Sequence, residues 1–266
     1  MAAEEEGIKE LIFLHIPGVP EALTMSWLVM AIIFFIAIMG KVGMKLAPRG
    51  FQNFLEFSIE WINIKIADFM GEEGKRFFPL FAMLFSFIFI SNLIGLVPGL
   101  KSPTSNISIN LSLALVIFFA THFFGIMKKG FFGHFKHLVE PKVKPLWLYY
   151  SVLAPLFFII HTIGELVRPI SLTMRLFFNI LAKEILLAVL AFLFTIFIVL
   201  NIPEAKIGFF DISGIIKGSL VGLAVVLRPL IILLGAFVSF VQALVFTVLS
   251  MIYIGSALEH PEHETH

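Results

Sequence analysis

The feature that most restricts this chain is an apolar stretch of more than fifty residues, 146–200, into which charged residues are set at helical intervals. About 20 apolar residues are enough to cross the about 30 Å of bilayer hydrocarbon. Runs of that length also cover 25–46 (closed by Pro48 and Gly50), 77–97, 107–127 and 213–258. Of the 266 residues, 59% are hydrophobic and 14% charged, where soluble domains average about 45–50% and about 25%. One core cannot hide such an excess, so apolar surface must face lipid. The expected fold class is therefore an all-α polytopic membrane protein, a single integral membrane domain over 1–258 followed by a polar tail, 259–266.

The stretch 155–200 reads either as one long tilted helix or as two spans turning near Arg168–Pro169. Positive charge is enriched in cytoplasmic loops, and this decides between them. With five spans, six Lys/Arg in 41–76 and five lysines in 128–144 share one side, leaving Lys9, Lys101, Lys206 and Lys217 on the other. A six-span path would place Arg168 in an outer turn. Five transmembrane helices follow, the last two long and tilted, with the N-terminus outside and the C-terminus cytoplasmic. The acidic start, MAAEEEGIKE, lacks the positive charge of a secretory signal, so the first apolar run is expected to be retained.

Residues 51–70 differ from the spans. Phe51, Phe54, Leu55, Ile59, Ile62, Ile66 and Phe69 recur at helical spacing opposite Asn53, Glu56, Glu60 and Asn63. That pattern predicts an amphipathic helix lying on the membrane surface or against another subunit. Trp27, Trp61 and Trp147 suit membrane-interface positions.

Several chemistries find no residues to carry them. The chain has no cysteine, which excludes disulfides and thiolate metal sites. No P-loop, dinucleotide fingerprint, HExxH or GxSxG occurs, and the eight histidines form no ligand pattern. No cofactor, metal or nucleic acid is expected.

The informative residues lie within 155–200. At about 100° per residue, His161, Glu165, Arg168, Arg175, Asn179 and Lys183 fall on or near one face. Each charge placed in a membrane costs about 2.5–3.5 kcal/mol on the insertion scale, so a stripe of them points to a protein interface or a water-filled route. Arg175 is the sharpest case, because a guanidinium stays charged at any accessible pH. Glu184, nine residues later, falls on the opposite face. A titratable carboxylate behind a permanent cation suits two proton routes kept apart by a fixed charge. Plainer readings stand beside these: His161 as a packing residue, Arg168 and Lys183 snorkelling to the interfaces, Glu165 and Arg168 neutralising each other three residues apart, and Asn179 as an interhelical hydrogen bond.

The last helix adds Arg228, Ser239 and Gln242, with Arg228, Gly235 and Gln242 seven apart on one face. Ser239 and Gln242 either hydrate a channel or satisfy each other. Gly214, Gly218 and Gly222 have the spacing that lets helices approach closely.

The segment SLTMRLFFNILAKE (171–184) resembles the a subunit family of rotary F-type ATP synthases, whose S-L-x-x-R-L-F-x-N core is matched by Ser171, Leu172, Arg175, Leu176, Phe177 and Asn179. SNLIGLVPG (91–99), RPISL (168–172) and QALVFTVLSMIYI (242–254) agree with it, and the resemblance spans roughly 25–258. It implies a stator subunit of the bacterial plasma membrane, conducting ions without being catalytic alone, with the c-subunit ring, the peripheral-stalk b subunits and the rest of the complex as partners. Arg175 would face a ring carboxylate and block leakage between two half-channels. Glu184 would relay protons, and Asn179 and Gln242 would line the same region. His161, Glu165, Arg168 and Ser239 complete the expected pathway. One departure stands out: some members carry a titratable residue seven before the glutamine, where this chain has Gly235. The expectation is that Glu165 or His161 replaces it. A sodium-conducting version of the same subunit is the alternative, and a secondary transporter is disfavoured by the lack of repeats.

Overall fold

The computed structural model describes residues 18–41, 50–97, 100–130, 154–199, 206–207 and 210–258. Residues 42–46 of the first expected span, most of the lysine-bearing segment 128–144, residues 200–205 between the last two expected spans, the tail 259–266 and the side chain of Arg228 lie outside the described residues.

Among the described residues six α-helices carry the fold: α1 (Glu21–Lys41), α2 (Phe51–Met70), α3 (Phe78–Ile94), α4 (Ile107–Lys129), α5 (Ala154–Val199) and α6 (Ile212–Leu258). A 3-10 turn, Glu72–Phe77, leads into α3, and another, Pro103–Ser105, precedes α4. Two strands of two residues each, Lys206–Ile207 and Phe210–Asp211, pair antiparallel before α6. This is the all-α polytopic class. By length and composition, helices over Glu21–Lys41, Glu72–Ile94, Ile107–Lys128 and Pro229–Leu258 can each cross a membrane.

Helix α5 has 46 residues and α6 has 47. At about 1.5 Å per residue each reaches about 70 Å, more than twice the hydrocarbon thickness. Each therefore leans strongly or carries much of its length beyond the hydrocarbon. Pro169 and Pro229 lie inside these helices, where a missing N–H and a bulky ring favour bending. The hydroxyl of Thr173 donates to the Pro169 carbonyl at 2.8 Å.

Two apolar clusters set the packing. In the first, Leu84 and Ile88 of α3, Ala114 and Ile117 of α4, Leu172 and Leu176 of α5, and Ala243 and Phe246 of α6 close on one another. Leu172 and Leu176 flank Arg175 in sequence, so the arginine's own turn is anchored into this core. The second cluster joins Ile62 and Ile66 of α2 to Phe77, Phe81, Met251, Ile254 and Leu258. It seats α2 across the C-terminal end of α6. Only part of the stripe expected on α2 is buried. Phe51, Phe54, Ile59 and Phe69 stay exposed, because the side of a bundle offers a helix crossing it only a narrow strip of contact. Trp61 packs against Phe85 and Phe240, with ring centroids 5.7 and 5.9 Å away.

Local signals explain the helix ends. Gly71 ends α2 at φ 65°, a left-handed conformation open to glycine without steric cost. Asn106 caps α4, its side-chain oxygen accepting from the Ser108 N–H at 2.9 Å. Helix α1 is peripheral: Met25 and Val29 are buried, while Trp27, Phe34 and Phe35 are exposed.

Candidate functional site

The polar residues of α5 meet three different environments, in chain order. Nearest the start, Arg168 donates to Glu165 at 2.7 Å. Its guanidinium carbon lies 5.1 Å from the centroid of the Tyr253 ring on α6, within cation–π range. Thr121 and Phe118 of α4 line a small cavity together with Glu165, Arg168 and Tyr253. His161, half-buried, lies one turn before Glu165.

Arg175 comes next and is half-buried. The ion pairs among the described residues are Lys65–Asp68, Lys75–Glu72, Lys101–Glu21, Lys128–Glu73 and Arg168–Glu165, and none of them includes Arg175. One turn on, the Asn179 amide donates to the side-chain oxygen of Gln242 on α6. Gln242 is 4% exposed. Its Nε2 is buried without a hydrogen-bond partner among the described residues.

A third environment forms around Lys183. Its Nζ donates to the Asn92 carbonyl of α3 at 2.8 Å and lies 3.4 Å from the Ser239 hydroxyl of α6. Ser239 itself donates to the Gly235 carbonyl at 2.7 Å. Ser239 and Gln242 thus take separate partners, Lys183 and Asn179. A Cβ placed on Gly235 would stand 2.6 Å from Leu96 and 3.6 Å from the Lys183 Cδ. The glycine therefore leaves the room in which Leu96 and the lysine stem lie. Glu165 and His161 are not brought to Gly235; Glu165 stays on Arg168, and Lys183 is the titratable side chain beside the glycine.

From Asn92 a chain of buried polar groups continues. The Thr104 hydroxyl lies 2.7 Å from both the Asn92 side-chain oxygen and the Ser102 hydroxyl and donates to one of them, and Ser102 donates to the Ser91 carbonyl at 2.8 Å. Asn110 donates to the Thr104 carbonyl at 2.8 Å. All five residues are buried, and two polar atoms, Ser91 Oγ and Asn110 Oδ1, have no hydrogen-bond partner among the described residues. Buried polar groups are normally paired with protein or ordered water, so these two orphaned atoms are places for ordered water beside the chain. Sequence reasoning placed Asn92 in the span 77–97 and Asn110 in the span 107–127, with the turn PGLKSPTSN between them, and gave neither amide a role. The available signal was Asn92 and Asn110, each inside an apolar run where an amide requires a partner.

Glu184 is half-buried beside Lys183 and within electrostatic reach of Lys101. It therefore lies in the second half of α5, near the 100–106 turn and away from the Glu165–Arg168 pair. Among the described residues no group of His, Asp or Glu is arranged to hold a metal ion.

The structure thus sets Arg175 on one long helix, one turn from an amide pair that ties this helix to a second long helix. The family model described as ATP synthase A chain matches residues 23–255. The chain belongs to the ATP synthase A chain family. Relatives named ATP synthase subunit a agree. That of Geotalea uraniireducens is 39% identical over 240 residues, covering 90% of this chain and 88% of the relative. That of Trichlorobacter lovleyi is 38% identical over 239 residues, covering 90% and 87%. That of Geobacter sulfurreducens is 37% identical over 240 residues, covering 90% and 88%. Membership makes this chain a membrane component of an ATP synthase, working with the rest of that complex in ATP synthesis and ion transport.

Proposed function

We propose that this chain is the proton-conducting stator of the membrane motor, offering two half-channels to a rotating ring of c subunits. The observation that carries the reading is Arg175: a permanent cation on a membrane helix, half-buried and without an ion-pair partner among the described residues. Such a charge is tolerated where a carboxylate from another chain comes to meet it. A fixed cation there favours the ionised form of that carboxylate and repels a proton hopping directly past it. Both effects are what a barrier between two routes requires.

The polar seam from Ser102 through Thr104, Asn92 and Lys183 to Ser239 supports an outer half-channel, with Glu184 beside it as relay. Asn179 and Gln242 bring it to the turn of Arg175. The inner route leaves past Glu165, Arg168 and His161. In this reading the chain crosses the bacterial plasma membrane five times, N-terminus outside and C-terminus cytoplasmic, with α2 and the basic loop toward the peripheral-stalk b subunits.

Arg175→Ala in the assembled complex tests it. The expected result is loss of proton-driven ATP synthesis with unchanged or increased passive proton leak, while ring and stalk subunits still co-purify. Retained coupled synthesis would refute the assignment and return the stripe to helix packing.

A further inference from the structure

The polar contacts between the two long helices keep one antiparallel register. Lys183 meets Ser239, Asn179 meets Gln242, and, eleven residues from that amide pair along each helix, Arg168 meets Tyr253. Between the last two contacts Leu172, Leu176 and Phe246 pack together in the core. Arg168 and Arg175, seven residues apart, fall within about 20° of each other around α5. Two permanent cations thus share one side of the helix, next to the exposed strip of Val167, Met174 and Phe178. Their surroundings differ. Arg175 has no ion-pair partner among the described residues. Arg168 is held twice, its Nη1 2.7 Å from the Glu165 carboxylate and its guanidinium carbon 5.1 Å from the Tyr253 ring centroid. On the α4 side a cavity of about 10 Å³, bordered by Phe118 and Thr121, is too small to take a guanidinium. A released Arg168 therefore turns toward the exposed strip.

We propose that Tyr253 is a positioning residue: its ring face pins Arg168 onto Glu165, so that Arg175 is the single free cation an approaching ring carboxylate meets. This rests on the stator function proposed above and adds to it a residue of α6 that keeps the two arginines inequivalent. A half-exposed ion pair is by itself a weak tether, favouring the closed form by about fivefold or less. An aromatic face beneath the guanidinium adds about two- to thirtyfold. A free cation about 10 Å from the meeting place, at an effective dielectric of about 20, raises the proton concentration needed to neutralise the ring carboxylate by about tenfold, or about one pH unit. The carboxylate must be neutral before it turns into lipid, so an unpinned Arg168 slows rotation most at alkaline pH. Other titratable groups on the elements around Arg168 are His161, one turn before Glu165, and His122 of α4, with a ring nitrogen 2.9 Å from the Phe118 carbonyl. Both are common to every variant below, so their titration cancels in the comparison.

The test uses the assembled complex, with co-purification of ring and stalk subunits and the thermal midpoint as controls. ATP-driven proton pumping is measured in inverted vesicles while the pH of the medium, which bathes the inner face, is varied. Tyr253→Phe keeps the ring face and is expected to match the parent. Tyr253→Leu is expected to pump about twofold more slowly at alkaline pH, with its half-maximal pH moved downward by at most about one unit. In a Glu165→Gln/Arg168→Gln background, where no charge is left to hold, Tyr253→Leu is expected to change neither the rate nor the pH midpoint further. An unmoved pH midpoint in Tyr253→Leu overturns the inference, as does an equal loss in Tyr253→Phe. A loss that persists in the uncharged background makes Tyr253 a packing residue. Failure of the Tyr253 series in a complex that Arg175→Ala still inactivates removes only this inference. Coupled synthesis by Arg175→Ala removes the function beneath it.

Discussion

Gln242→Leu separates a conducting role from a packing role, because the structure gives the two opposite consequences. Gln242 is buried between the long helices, receives one hydrogen bond from Asn179 and leaves its own Nε2 unpaired among the described residues. Leucine has a similar volume, so no large cavity follows. The substitution loses an interhelical hydrogen bond, worth on average about 0.6 kcal/mol and at most about 1.7 in membrane bundles. It also removes a buried donor whose unmet desolvation costs about 1–3 kcal/mol. The Asn179 amide left behind is exposed on its helix and carries little penalty. The balance favours the variant by about 1 kcal/mol, so the complex should assemble and withstand heating at least as well as the parent. Proton-driven synthesis should nevertheless fall at least tenfold, because the polar link between the seam and the turn of Arg175 is gone. The assay pairs thermal dissociation of the solubilised complex with synthesis rates in vesicles at matched subunit content. A thermal midpoint that drops in step with activity would refute the reasoning and make Gln242 a packing residue.

Two further outcomes follow from the same geometry. Lys183→Met keeps the stem that lies beside Gly235 but removes the ammonium from the Asn92 carbonyl and Ser239; synthesis per assembled complex should fall several-fold, and an unchanged rate would take Lys183 out of the outer route. Glu165→Gln leaves Arg168 charged without its partner, two turns and about 10.5 Å from Arg175. At an effective dielectric of about 20 a second cation at that distance is felt at about 1.6 kcal/mol, so proton flow should drop about tenfold and recover in Glu165→Gln/Arg168→Gln; no recovery would contradict simple charge compensation.

Much of this protein is legible from its sequence, and the reason is the solvent. In lipid a backbone must satisfy its own hydrogen bonds, so an apolar run of about 20 residues becomes a helix almost regardless of its neighbours. The ends expected for the long helices, 155–200 and 213–258, lie within one residue of those of α5 and α6. Helical periodicity likewise put Arg175 and Asn179 near one face before any neighbour was known. The Glu165–Arg168 pair was also readable, being local at three residues' separation.

What periodicity cannot say is which helix a face meets, or at what height. That depends on how ridges of side chains from two helices interlock, a property of both surfaces together. Only the packed structure could therefore place Asn179 on Gln242, 63 residues away, and Lys183 on Asn92, 91 residues away. It also assigned the space over Gly235 to Leu96 and the Lys183 stem. The helices and the arginine's register along them were determined locally; the route that polar groups trace between helices was decided by tertiary packing.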